Sequence, residues 1–225
     1  MEKLSKTTDD AIFDFAFDAN AERIAVAYRG GGIDLFSVKT GDLLLKTKGL
    51  KVRFERVAFA GSGRNLVAMA PQMRRRADDS EDTLILFDGA SGLPIANAPA
   101  QFRVSALAVS PDRKLIAIGG SDQCVHLFDA DTLRERSSFR AHDGEIGALA
   151  FHPSEPVIAT ASADGSVKLW EYNSAHLLDY FVGLGGPPVT AAFSPNGRLL
   201  AVDGQERTSR VYDVSGVGVG ERGKR

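Results

Sequence analysis

The sequence predicts an all-β chain: a β-propeller of four-stranded antiparallel blades, with five repeats. Three observations lead there. First, residues 193–201 recur as 109–117, 151–159, 17–25 and, more loosely, 59–67, and the leading residues Phe17, Phe59, Val109, Phe151 and Phe193 lie 42, 50, 42 and 42 positions apart. Second, an aromatic residue returns at Phe36, Phe87, Phe128, Trp170 and Tyr212, spaced 51, 41, 42 and 42. Third, the apolar runs inside each copy, such as 148–151, 157–160 and 167–170, are short and bounded by Pro, Asp, Asn and Gly clusters, the pattern of strands and tight turns. Four short strands in a repeat of about 42 residues are the content of one blade.

Taken in order, the repeats fall at about 12–53, 54–103, 104–145, 146–188 and 189–214, followed by a flexible glycine-rich, basic tail at 215–225. In each repeat two strands precede the aromatic landmark, a third ends on it, and a fourth follows, as at 134–139 and 177–181. The residue before each leading position is alanine: Ala16, Ala58, Ala108, Ala150 and Ala192. A small side chain there suits innermost strands that crowd around an axis. Repeat two is longer because nine residues are inserted between its second and third strands, within 71–82. Glycine (23) and proline (9) supply the recurring turns.

Composition narrows the function. With 44% hydrophobic and 25% charged residues, the chain can bury a core and is neither disordered nor fibrous. A net charge of −2 leaves no global footprint for nucleic acid or an anionic membrane. The first ten residues hold no apolar run of signal-peptide length, and no stretch approaches the ~18 apolar residues of a membrane span. The expected location is cytoplasmic, with the single cysteine, Cys124, reduced.

These repeats resemble the WD-repeat β-propeller family over essentially the whole chain. The naming dipeptide survives only as variants: Phe36-Ser37, Phe87-Asp88, Phe128-Asp129, Trp170-Glu171 and Tyr212-Asp213. Repeat four, 161–170, reads most like the family consensus. It matches the family's structural hydrogen-bond tetrad at His142, Thr160, Asp164 and Trp170. The resemblance implies that Asp164 accepts from the His142 ring, whose other nitrogen meets Thr160, which in turn meets the Trp170 indole. A Thr–His–Asp arrangement also resembles a catalytic triad, but a chain that ends on an indole reads as a staple. The other repeats lack the histidine, so blade four is expected to be the most rigid.

Family rings usually hold seven blades, with the N-terminus supplying the outer strand of the last one. Counting back from Phe17 places such a closing strand at 2–7. Two architectures stay open: a closed five-blade ring, or an open, incomplete part of a seven-blade ring whose edges would invite self-association.

The resemblance implies a non-catalytic scaffold that binds a protein or peptide through the loop face of the propeller. The alternative is a structural or regulatory subunit of a larger complex, completed through open blade edges. The insertion of repeat two contributes Arg74, Arg75 and Arg76, which suit an acidic partner segment. Tyr28, Arg29, Arg53, Arg103 and Arg207 are expected on the same face. Few aromatics interleave with these cations, which argues against nucleic acid. No catalytic residue, metal ligand or cofactor is assigned. His126, His142, His152 and His176 form no ligand spacing, Cys124 reads as packed, and the innermost strands offer only Asp14, Arg56 and Thr190 as polar groups.

Overall fold

The computed structural model describes residues 11–47, 52–61, 64–71, 82–205 and 209–217. Among these every regular element is a strand, and the strands form five antiparallel sheets, the blades of a β-propeller fold. Blade one holds β1 (Ile12–Phe17), β2 (Arg23–Tyr28), β3 (Ile33–Ser37) and β4 (Leu43–Lys46) in that spatial order. Blade two holds β5 (Arg56–Ala60), β6 (Asn65–Ala70), β7 (Thr83–Phe87) and β8 (Pro94–Pro99). Blade three holds β9 (Val104–Val109), β10 (Leu115–Gly120), β11 (Cys124–Asp129) and β12 (Glu135–Arg140). Blade four holds β13 (Ile146–Phe151), β14 (Val157–Ser162), β15 (Ser166–Glu171) and β16 (His176–Val182). Blade five has three strands among the described residues: β17 (Pro188–Phe193), β18 (Leu199–Gly204) and β19 (Ser209–Asp213). The closing strand expected at 2–7 lies outside the described residues, as does 218–225 of the tail. No helix is long and apolar enough to cross a membrane.

The chain divides into two compact units, one of residues 1–103 with 129–134 and one of 104–128 with 135–225. In the first, Phe54, Val57 and Phe59 of blade two bury themselves against Ala25, Ala27, Ile33 and Leu35 of blade one. Phe54 meets Phe87 edge to face at 5.7 Å between ring centres. In the second unit, Leu127 and Val125 share a core with Ile146, Ile158 and Trp170, while Leu169 and Val167 share another with Leu200 and Val202. The aromatic landmarks close these layers: Trp170 packs on Phe139 at 5.2 Å, and Tyr212 stacks on Phe181 at 4.5 Å.

Two irregularities recur at fixed places. The register slips where β1, β9, β13 and β17 begin, skipping Phe13, Ser105, Gly147 and Val189. A second slip falls at each aromatic landmark of the four-stranded blades, at Phe36, Phe87, Phe128 and Trp170. Such bulges raise the twist and re-aim side chains. The recurring alanines of the innermost strands pair with a second alanine in four blades: Ala16 with Ala25, Ala108 with Ala117, Ala150 with Ala159 and Ala192 with Ala201. Side chains this small let neighbouring sheets of a unit approach closely. At Gly147 the approach is closer still, because a Cβ there would lie 2.2 Å from the Pro188 carbonyl oxygen.

Candidate functional site

Blade four contains a continuous polar chain that runs from the exposed turn at Asp164 to the buried His142, Thr160 and Trp170. Asp164 lies in the turn between β14 and β15, where Gly165 takes φ +83° and turns the chain back. Its carboxylate sits 2.9 Å from His142 Nδ1, and His142 Nε2 sits 2.7 Å from the Thr160 hydroxyl. The Trp170 indole N–H donates to that same hydroxyl at 3.0 Å. Burial, the largest influence, lowers the His142 pKa despite the pull of Asp164, so the ring is neutral at pH 7. A carboxylate can only accept, which puts the single ring proton on Nδ1. Thr160 then donates to Nε2 and accepts from the indole, and every group in the chain is satisfied.

Asp164 is the anionic end. Burial would raise its pKa, but the hydroxyl and N–H of Ser166, the Asp143 N–H and the His142 ring together outweigh that and bring it to about 2. Thr160 is fully buried, and its oxygen is already held from two sides. Its environment is that of a structural link between strands rather than of an exposed nucleophile.

The cations expected on the loop face have different fates. Tyr28 is corrected: it is 7% exposed, its ring being absorbed into the core at the end of β2, so it presents no surface to a partner. Arg29 and Arg103 are exposed. Arg53 lies over the ring of Phe13 at 4.6 Å and pairs with Glu55. Arg74, Arg75, Arg76 and Arg207 lie outside the described residues. Asp14 of the polar inner-strand trio serves packing within its unit, accepting the Val57 N–H at 3.0 Å.

Two groups escaped sequence reasoning. Phe13 reads as one more apolar strand residue, yet it sits at the bulge that begins β1 and is 38% exposed, with Arg53 over its ring. In blade three, Asp122, Cys124 and His126 bring one potential ligand atom each to within 4.8 Å of one another. Burial raises the Cys124 thiol pKa, and Asp122 adds to the effect while Arg140 opposes it. The one available signal for the trio was the alternation Asp-x-Cys-x-His across a turn and a strand.

The WD40 family model, described as WD domain, G-beta repeat, matches residues 95–129 and 133–171, which fall in blades two to four. No curated protein matches the chain.

Proposed function

The chain is a WD-repeat β-propeller protein, and on that premise we propose that it is a non-catalytic scaffold that binds a protein or peptide partner through the loop face of its blades. Propellers of this family are in general protein-interaction platforms. The observation that carries the reading is the pairing of Arg53 with the half-exposed ring of Phe13 at 4.6 Å. An aromatic face capped by a guanidinium is a hot-spot composition, since it gives contact area and a charge at low entropic cost. Arg29 and Arg103 are exposed in the same unit, and Arg74, Arg75, Arg76 and Arg207 add cations by sequence. An acidic segment is the partner chemistry this set favours.

Affinity capture from the source cell with the native chain, with Phe13→Ala plus Arg29→Ala, and with Arg74, Arg75 and Arg76 all changed to Ala tests the proposal. A specific partner lost by either variant at unchanged melting temperature supports it. The same capture profile for all three proteins overturns it.

A second reading has its own observation. Phe15 of β1 is 58% exposed and Val211 of β19 is 66% exposed, apolar surface in the first and last blades. These faces suit a subunit completed by another chain. Size-exclusion chromatography with light scattering separates the two readings, because a defined oligomer favours completion and a monomer favours face binding.

A further inference from the structure

We propose that Asp122, Cys124 and His126 form a binding site for one divalent transition-metal ion of borderline softness, Zn2+ being the best fit, and that Glu135 holds His126 in its ligating orientation. The set supplies one oxygen, one sulfur and one nitrogen, the donor types that Zn2+ takes in sites with three protein ligands and an open fourth position.

The backbone explains how residues at alternate positions converge. Cys124 and His126 are two apart on β11 and so share a face of the strand. Asp122 precedes the strand, and Gln123 between it and Cys124 holds φ 71°, a left-handed conformation uncommon for a residue with a Cβ. That turn folds the Asp122 carboxylate back over the strand, 2.7 Å from His126 Nε2. With bonds of about 2.0 Å to nitrogen and 2.3 Å to sulfur, tetrahedral ligand atoms stand about 3.5 Å apart. The three donor atoms already lie within 4.8 Å of one another, close to this spacing. On the far side of the ring, Glu135 of the neighbouring strand lies 2.8 Å from His126 Nδ1. A carboxylate behind a histidine fixes its tautomer and raises its basicity toward a metal.

Blade four is the internal control. Forty-two residues on, the same positions hold Asp164, Ser166 and Lys168, and the tetrad residues His142, Thr160 and Trp170 correspond to Ala100, Ile118 and Phe128 in blade three. There Ser166 donates to Asp164 at 2.6 Å, and Lys168 reaches the Ala141 carbonyl at 2.8 Å. Blade three has lost the tetrad and carries a thiol and an imidazole where blade four has a hydroxyl and an amine. Asp122, without a tetrad histidine to engage, faces His126 instead. The guanidinium of Arg140, across from Cys124 in the ladder, is ion-paired to Asp143 at 3.1 Å, which offsets its repulsion of a cation. On binding, the thiol proton and the Nε2 proton that His126 directs at Asp122 both pass to solvent; the thiolate and the freed Nε2 lone pair then bind the metal, while Nδ1–H stays on Glu135.

The test is a titration of the untagged, chelator-stripped chain with Co2+ and then Zn2+. Cys124 is the chain's single cysteine, so a thiolate-to-cobalt charge-transfer band reports on this site alone. The expected result is a band that saturates at one ion per chain and is displaced by Zn2+. Cys124→Ser abolishes it and weakens Zn2+ binding at least tenfold, and His126→Gln does the same. Glu135→Gln, a half-exposed change that spares all three ligands, keeps the band and weakens binding about 10- to 100-fold. Circular dichroism identifies any variant that fails to fold, and Glu135→Gln then carries the comparison. Absence of the band in the native chain, or Zn2+ affinity unchanged in folded Cys124→Ser, overturns the proposal.

Discussion

The Thr160 hydroxyl lies 3.0 Å from the Trp170 indole nitrogen, joining two neighbouring strands of blade four through a contact that is buried on both sides. Because the same oxygen meets His142 Nε2 at 2.7 Å, its removal strands two groups at once. Thr160→Val keeps the shape and is expected to cost about 3 kcal/mol, from two buried polar groups left unpaired. Trp170→Phe removes the donor together with its need for an acceptor, and blade three already carries Phe128 at this position, so about 1–2 kcal/mol is expected. Urea melts of both variants check the order; a Trp170→Phe cost equal to or above that of Thr160→Val would contradict this account.

Acid should act on the same chain in two windows. His142 has a lowered pKa in the folded state, so its contribution is complete above the ordinary value of 6.5 and is lost as pH falls below it, where the unfolded chain takes up a proton first. Asp164 is held at about 2 against an ordinary 3.8, so its contribution is complete above 3.8 and disappears as pH falls from there through about 2. Stability measured by urea melts should therefore decline in two steps. Asp164→Asn should shrink the lower one, to which Asp18, Asp88, Asp112 and Asp213, whose pKa values are also lowered, contribute as well, and a profile for it identical to the native chain would exclude Asp164 as a contributor.

Gly147 marks a close approach of the blade-four and blade-five backbones. A methyl group there would fall 2.2 Å from the Pro188 carbonyl oxygen, and neither backbone can yield without separating β13 from β17. Gly147→Ala should destabilise by about 3 kcal/mol or more. Gly216→Ala, where a Cβ meets nothing within 4 Å, should stay within about 0.5 kcal/mol of the native chain. Thermal melts of the pair decide the matter, and equal losses would mean that the close approach does not limit stability.

Asp14 clasps β1 to β5 by accepting the Val57 N–H at 3.0 Å. Val57 is buried, so Asp14→Ala leaves an amide without an acceptor and should cost about 1–3 kcal/mol. Amide exchange at Val57 should quicken more than at Leu86, which lies inside blade two. Uniform exchange across blade two would show that Asp14 contributes nothing local.

Strand number, blade order and the aromatic landmarks were legible in the sequence because they depend on local signals: alternation of apolar residues, turn residues at fixed offsets, and repetition of both about every 42 residues. The choice of His142, Thr160, Asp164 and Trp170 came from the resemblance of repeat four to the family's tetrad. Their distances, and the neutral state of the histidine, came only from packing. Tyr28 shows the limit, since a residue at the end of a strand reads as a rim position, yet it is 7% exposed in the folded chain. Phe13 shows the converse, because it reads as a core residue yet lies 38% exposed beneath Arg53. The convergence of Asp122, Cys124 and His126 depended on a left-handed Gln123, a conformation that residue type does not announce. Repeats determine which strands form, because each strand's pattern is local. Which side chains meet is decided by bulges, turns and contacts between blades, whose partners lie far apart in the chain, 43 residues for Asp14 and Val57 and 45 for His152 and Gly197.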